Sequence, residues 1–159
     1  MVDPARLNLS AAAAASVELI TFRVSGQDFC VEAISVKEIR GWTPATLLPD
    51  SPAYVRGAIN LRGAILPIVD LAVRLALPET EPTARHVVIV VWIGAGLVGL
   101  LVDAVCDIVT VPSDGLQPTP SVRSETLEAL VAALVTVEDR MVALLALDRI
   151  LPAVEELAP

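Results

Sequence analysis

One histidine, one lysine and 3% aromatic residues leave this 159-residue chain short of the tools that many functions use. His86 stands just before an apolar strand with no serine or cysteine motif beside it, so it reads as a strand-edge residue and not as a general base. Lys37 is the only lysine, the arginines are scattered, and the formal charge is −8, a balance that repels phosphate backbones and excludes nucleic acid as a partner. So few rings offer no stacking platform for bases or sugars. The two cysteines, Cys30 and Cys106, lie in apolar runs without paired spacing or a companion histidine. Both are expected to be small buried side chains, free of metal or redox chemistry, in a reducing cytoplasm. The uncharged run from Val87 to Val102 falls short of the ~20 apolar residues that a membrane span needs and is split by Gly94-Ala95-Gly96. With His86 and Asp103 as flanks it also lacks interfacial anchors, and a buried hairpin is expected. Met1 to Ser16 has an alanine run but no strongly apolar core of a secretory signal, and reads as a loose leader.

What is abundant is aliphatic surface. Hydrophobic residues make up 55% of a chain long enough for one domain or two small barrels sharing a core. Leu19 to Val24 and Phe29 to Ile34, joined through Ser25-Gly26-Gln27-Asp28, read as a β-hairpin. Ser35 can cap a short helical turn over Val36-Lys37-Glu38-Ile39 before Gly41 to Pro44 return the chain to an extended path. The second half repeats the first. Ile20, Phe22 and Val24 fall on Ile89, Val91 and Ile93, and Val36 to Ile39 fall on Val105 to Ile108. With an insertion, Arg62 through Asp70 falls on Arg140 through Asp148, so each copy ends on a strand stopped by an aspartate. Two strand-rich copies with short turns imply two small barrels, which close their sheets to remove exposed edges. The expected division is a leader at 1–16, barrels at 17–80 and 81–148, and a helical segment at 149–159. Pro78 to Pro82 is the linker; brief helical patterns occur at Leu71 to Leu75, ambiguously at Glu125 to Ala133, and from Asp148, as its cap, to Leu157.

Candidate chemistry is sparse. Asp103 and Asp107 make a weak metal site on their own and read as solvent-facing or paired to arginine. Gly94-Ala95-Gly96 with Gly99 lacks the lysine and helix start of a phosphate loop and reads as a tight turn. Arg62 and Glu38 are a possible pair: an arginine fork can hold a carboxylate with two hydrogen bonds and tie together segments distant in sequence.

The most informative stretch runs from Tyr54 to Leu71, where Gly57 and Gly63 flank Asn60 and an apolar run ends at Asp70. Together with Val36-Lys37-Glu38-Ile39-Arg40-Gly41, with Ile65-Leu66-Pro67-Ile68-Val69-Asp70-Leu71, and with Val98 through Val105, in that order, it resembles the CheW family of bacterial chemotaxis adaptors. The resemblance covers Val17 to about Leu151. It implies a mostly β fold of two SH3-like five-stranded barrels around a third hydrophobic core, no catalysis, no metal and no cofactor. It further implies a cytoplasmic adaptor recruited to membrane-associated chemoreceptor arrays. There it would couple the cytoplasmic tips of chemoreceptors to the regulatory domain of the CheA histidine kinase.

Carried over by position, the resemblance places Val36, Glu38, Ile39, Arg62, Val98 and Val105 in or beside a receptor-binding groove between the barrels, and Gly57, Ile65, Gln117 and Val122 at kinase or ring contacts. The loop from Gln117 to Val122 departs from the family in lacking charged and bulky aromatic residues. With no receiver or phosphotransfer pattern in these 159 residues, an adaptor is expected in preference to a CheV-type fusion or CheA itself. An adaptor of the same fold in a non-flagellar chemosensory pathway carries the same motifs. Two other classes remain open from residues alone: an enzyme built on Asp103, Asp107 and His86, and a structural barrel that self-associates.

Overall fold

The computed structural model describes residues 16–79, 81–118 and 129–151. Its first hairpin joins β1 (Ser16–Val24) to β2 (Gln27–Glu32) through Ser25 and Gly26, both at positive φ, as a two-residue turn matched to strand twist requires. One tight turn at Ala33–Ser35 leads into β3 (Val36–Gly41), so the helical turn expected over Val36 to Ile39 is a strand. The remaining elements are β4 (Val55–Leu61), β5 (Ala64–Asp70), α1 (Leu71–Arg74), β6 (Val87–Ile93), β7 (Gly96–Val102), β8 (Ala104–Pro112), β9 (Val131–Val137), β10 (Arg140–Leu145) and α2 (Leu147–Ile150). The leader at 1–15, Val122 and the end of the C-terminal segment lie outside the described residues.

Two five-stranded sheets result, ordered β8-β1-β2-β10-β9 and β3-β6-β7-β5-β4. Adding five to each strand of one order, with β6 to β10 wrapping back to β1 to β5, gives the other. Each half of the chain therefore contributes two strands to one sheet and three to its neighbour. The division at 80 and 81 is corrected accordingly: one sheet takes its strands from 16–32, 104–112 and 131–145, the other from 36–102. The exchange occurs at β3 and β8. Each leaves the hairpin before it and pairs antiparallel with the first strand of the other half, β3 with β6 and β8 with β1. The halves meet again in parallel pairs, Ile68 beside Gly99 and Leu144 beside Cys30. Each sheet is closed by an isolated bridge, Thr46 with Ala58 in one and Gln117 with Leu134 in the other.

The central strands are buried on both faces. In β6, Val88 and Val90 point into the barrel with Leu61, Leu66 and Ile68, while Ile89 and Val91 face the opposite barrel. In β1, Leu19 points into its own barrel with Cys30, Val135 and Val142, while Ile20 and Phe22 join the shared interface. The third core, between the barrels, thus draws on both sheets, with Phe22 and Phe29 stacked at 6.3 Å between centroids. Burial of both faces explains why Val87 to Val102 is apolar without alternation. Among the described residues no helix is long and apolar enough to cross a membrane.

Asp70 terminates β5 and caps α1, its Oδ1 accepting from the N–H groups of Ala72 and Val73. It is almost fully buried, and Arg56 Nε donates to its Oδ2 at 2.8 Å. The same guanidinium reaches Glu79 at 3.1 Å, which ties the linker back to the barrel. Asp148 does not repeat this role: the cap position of α2 is Ala146, and Asp148 lies in the first turn without a capping bond. The alignment of the copies is corrected by two residues here. The hairpin turn Arg62-Gly63 is matched by Glu138-Asp139, all four at positive φ, and β4 and α1 match β9 and α2 in the same step. Cys30 is buried, as expected, and burial pushes its thiol up to about 12, which keeps it protonated and inert. Cys106 is instead exposed, because a bulge in β8 turns it outward.

Candidate partner-binding site

β3 and β8 carry the same irregularity. In β3 the register jumps from Val36 opposite Val91 to Glu38 opposite Val90; in β8 it jumps from Val105 opposite Phe22 to Asp107 opposite Thr21. The extra residues are Lys37 and Cys106, as in a β-bulge, where two residues face one on the partner strand. Lys37 is thrown outward over the Trp92 ring, its Nζ 5.9 Å from the centroid. The bulge also places Val36 and Ile39 on one face, with Glu38 on the other.

Glu38 is held from two sides. Arg40 Nη1 donates to its Oε1 at 3.2 Å, and Arg62 Nη2 donates to its Oε2. Arg62 reaches it from the β4–β5 turn, where the left-handed Arg62-Gly63 pair is fixed by the Gly63 N–H donating to Asn60 Oδ1 at 2.8 Å. Because β3 and β4 are opposite edges of one sheet, this contact spans the barrel's seam alongside the Thr46–Ala58 bridge. The hydrogen bond from Arg62, then that from Arg40, holds the Glu38 carboxyl below its usual range. The Arg62 side chain is 64% exposed, so the pair is a surface clamp whose worth to stability is small.

The apolar candidates divide. Val36, Val91 and Val98 form one row across β3, β6 and β7, with Val98 inside the interface core and Val36 packed on its margin. Val105 packs on the same core from β8 in the other sheet. Ile39 is 44% exposed and stands free for contact beside the clamp. Gly57 lies under the closing bridge, where a Cβ would come within 2.3 Å of the Thr46 carbonyl oxygen, so its bare backbone serves the barrel itself. Ile65 is 77% exposed on β5, away from the core. Gln117 bonds Leu134 through its backbone in both directions at 2.8 and 2.9 Å, which leaves only its exposed side chain for a partner.

Residue types alone did not single out Trp92, Lys37 and Ile108. Ile108 is 59% exposed and occupies in β8 the place of Ile39 in β3, a match that the repeat of Val36 to Ile39 at Val105 to Ile108 already contained. Trp92, with Ile93 and Gly94, lines a cleft of about 340 Å³ between the barrels whose other wall includes Ala132, Leu145 and Arg149. None of the six residues expected in the groove lines it. His86 and Asp103 do come together, His86 Nε2 lying 3.6 Å from Asp103 Oδ1. Both are spent on turn structure: His86 Nδ1 accepts from the Thr83 N–H, Asp103 accepts from the Ser25 N–H, and the Ser25 hydroxyl is turned to the Pro78 carbonyl. Asp107 is exposed and accepts from its neighbour Ile108 N–H at 2.8 Å.

A family model described as the CheW-like domain matches residues 18–155. The chain belongs to the CheW-like family. It is 52% identical over 138 residues to the chemotaxis protein CheW of Rhizobium meliloti, covering 87% of this chain and 89% of that protein. Against the chemotaxis protein CheW of Klebsiella aerogenes the identity is 30% over 141 residues, covering 89% and 84%. The fold is similar to the crystal structure of the scaffolding protein TtCheW from Thermoanaerobacter tengcongensis, with a TM-score of 0.80, 25% identity, and coverage of 87% of this chain and 89% of that one. The mostly β fold of two SH3-like barrels is thus the CheW fold.

Proposed function

We propose that this chain is a non-catalytic adaptor that binds the cytoplasmic tip of a chemoreceptor coiled coil and the regulatory domain of a CheA-type kinase at the same time, at receptor arrays on the cytoplasmic side of the membrane. The observation that carries this reading is the β3 edge in a member of the CheW-like family: an exposed Ile39 beside a Glu38 carboxylate fixed by two arginines. Such an edge suits an amphipathic receptor helix, with Ile39 and the margin formed by Val36 and Val105 as apolar anchors and the clamp as a rigid polar rim. Ile65 and the Gln117 side chain, exposed elsewhere, are the proposed kinase contacts. Coupling then follows from linkage. An adaptor transmits receptor state only if it binds the signalling states with different affinity.

Val36 and Val105 are half-buried, so a charge at either would strike the interface core as well as any partner. Ile39→Asp is the cleaner test. Calorimetry with a receptor-tip fragment should show saturable binding to the native chain and at least about tenfold weaker binding to Ile39→Asp, as for an interface anchor, with an unchanged thermal midpoint. Equal affinity of the two proteins would place the receptor site elsewhere, and absence of binding to both the tip and the kinase domain would contradict the adaptor reading.

A further inference from the structure

The corrected alignment of the two copies places Arg74, the last residue of α1, and Ile150, the last residue of α2, at the same position of their repeats. These two equivalents touch. Arg74 Nε donates to the Ile150 carbonyl, and Arg74 Nη2 donates to the Arg149 carbonyl at 3.1 Å. A contact between equivalent positions lies at the approximate two-fold axis that relates the copies, which here is also where one barrel meets the other. The symmetry breaks at that point: Ile150 is fully buried in the interface core, whereas Arg74 turns its guanidinium across the junction, with its central carbon 4.9 Å from the centroid of the Tyr54 ring.

We infer that Arg74 is a positioning residue that sets the angle between the two barrels, and through that angle the fit of a partner that touches both. The interface core is apolar and therefore resists separation, but hydrophobic burial has no direction and does little against rotation of one barrel on the other. A planar guanidinium bonded to two successive carbonyls and held over an aromatic ring does have direction. Those carbonyls belong to the end of a four-residue helix, where they lack partners within the helix and carry partial negative charge that a cation satisfies. Arg149 continues the tie, its Nη1 donating to the Ala129 carbonyl at 3.2 Å. Val36 and Val105, on different sheets, both rest on the core that this clasp spans.

The functional half of this inference rests on the adaptor reading; the geometric half does not. Spin labels at Leu47→Cys, beside the closing bridge of one barrel, and at Met141→Cys, on β10 of the other, both exposed, in a Cys106→Ser background, report the angle as a distance distribution. The native pair should give one narrow distribution, Arg74→Ala a broadened or displaced one, and Arg74→Lys, which keeps the charge and loses the fork, an intermediate one that remains measurable should the alanine variant fail to fold. An unchanged distribution in the foldable variants would overturn the clasp. Without labels, Arg74→Ala should bind the receptor-tip fragment about tenfold more weakly than the native chain, with partial rescue by Arg74→Lys. A broadened distribution with unaltered tip affinity would overturn the link to binding. A native chain that binds no tip would overturn the functional half along with the adaptor reading, with the clasp still decided by the labels.

Discussion

The turn at Arg62-Gly63 and the turn at Glu138-Asp139 share a backbone and differ in what they do. Both are left-handed pairs between the last two strands of a copy, and each copy has an edge strand with the same bulge. In the first copy Arg62 reaches Glu38 across the seam; in the second the equivalent residues, Glu138 and Asp107, carry like charge, and Asp107 settles on its own neighbouring N–H. Other equivalent positions diverge in the same manner: Gly57 against Ala133 beside the closing bridges, Gly99 against Cys30 at the parallel junctions, Asp70 against Ala146 at the helix caps. The duplication has kept bulges, hairpins and closing bridges, which any sequence with the right turns can form. The chemistry that distinguishes one edge from the other lies in the side chains that the copies do not share.

The helix caps should show the largest difference. Asp70→Ala leaves Arg56 partly buried with only Glu79 and removes the cap of α1, and should cost roughly 3 kcal/mol, somewhat below a fully buried broken pair because Arg56 retains some solvent. Asp148→Ala, at the position that sequence alone aligns with Asp70, should leave the denaturation midpoint unchanged; equal losses in urea titrations would show the copies to be alike here after all. Next come the closing bridges. Gly57→Ala forces a Cβ against Thr46 at a φ of +139° and should cost roughly 2–3 kcal/mol, while Ala133→Gly, its mirror, should cost nearer ~1 kcal/mol. A tolerated Gly57→Ala would mean that the Thr46–Ala58 bridge is dispensable.

The clamp should contribute least to stability, and with a definite pH dependence. The Glu38 carboxyl is held below its usual range in the fold, so whatever stability it contributes is present above its unfolded value and is lost as pH falls through the depressed value. The gap in thermal midpoint between the native chain and Glu38→Gln should therefore be constant at neutral pH and close in acid, as pH falls through the depressed value, and added salt should narrow it. A gap that widens in acid would contradict the assigned ion pair.

The legibility of this fold in its sequence follows the same division. Hairpin turns, the strand stop at Asp70 and the match of Val36 to Ile39 with Val105 to Ile108 could be read because turn chemistry and local spacing carry them. The bulge at Lys37 hid β3: it sets Val36 and Ile39 three residues apart on one face, a spacing that mimics a helix. Exchange of strands between the halves could not be read, since alternation says which face of a strand is buried and not which strand lies beside it. The shared Arg and Asp letters at 140 and 148 draw the alignment two residues out of step, and the positive φ of Glu138 and Asp139, with the bounds of β9 and α2, restores it. Glu38 and Arg62 were legible as a pair chiefly through the family resemblance, because nothing in two charges 24 residues apart announces a contact.

The central claim is simultaneous binding, and the most direct measurement is a titration of receptor-tip fragment into the preformed complex of this chain with the regulatory domain of a CheA-type kinase, followed by light scattering. The proposed adaptor should give a ternary complex whose mass is the sum of its three parts, with the kinase domain retained throughout. Release of the kinase domain as the tip binds would show that the two partners compete for one surface, and would contradict the account.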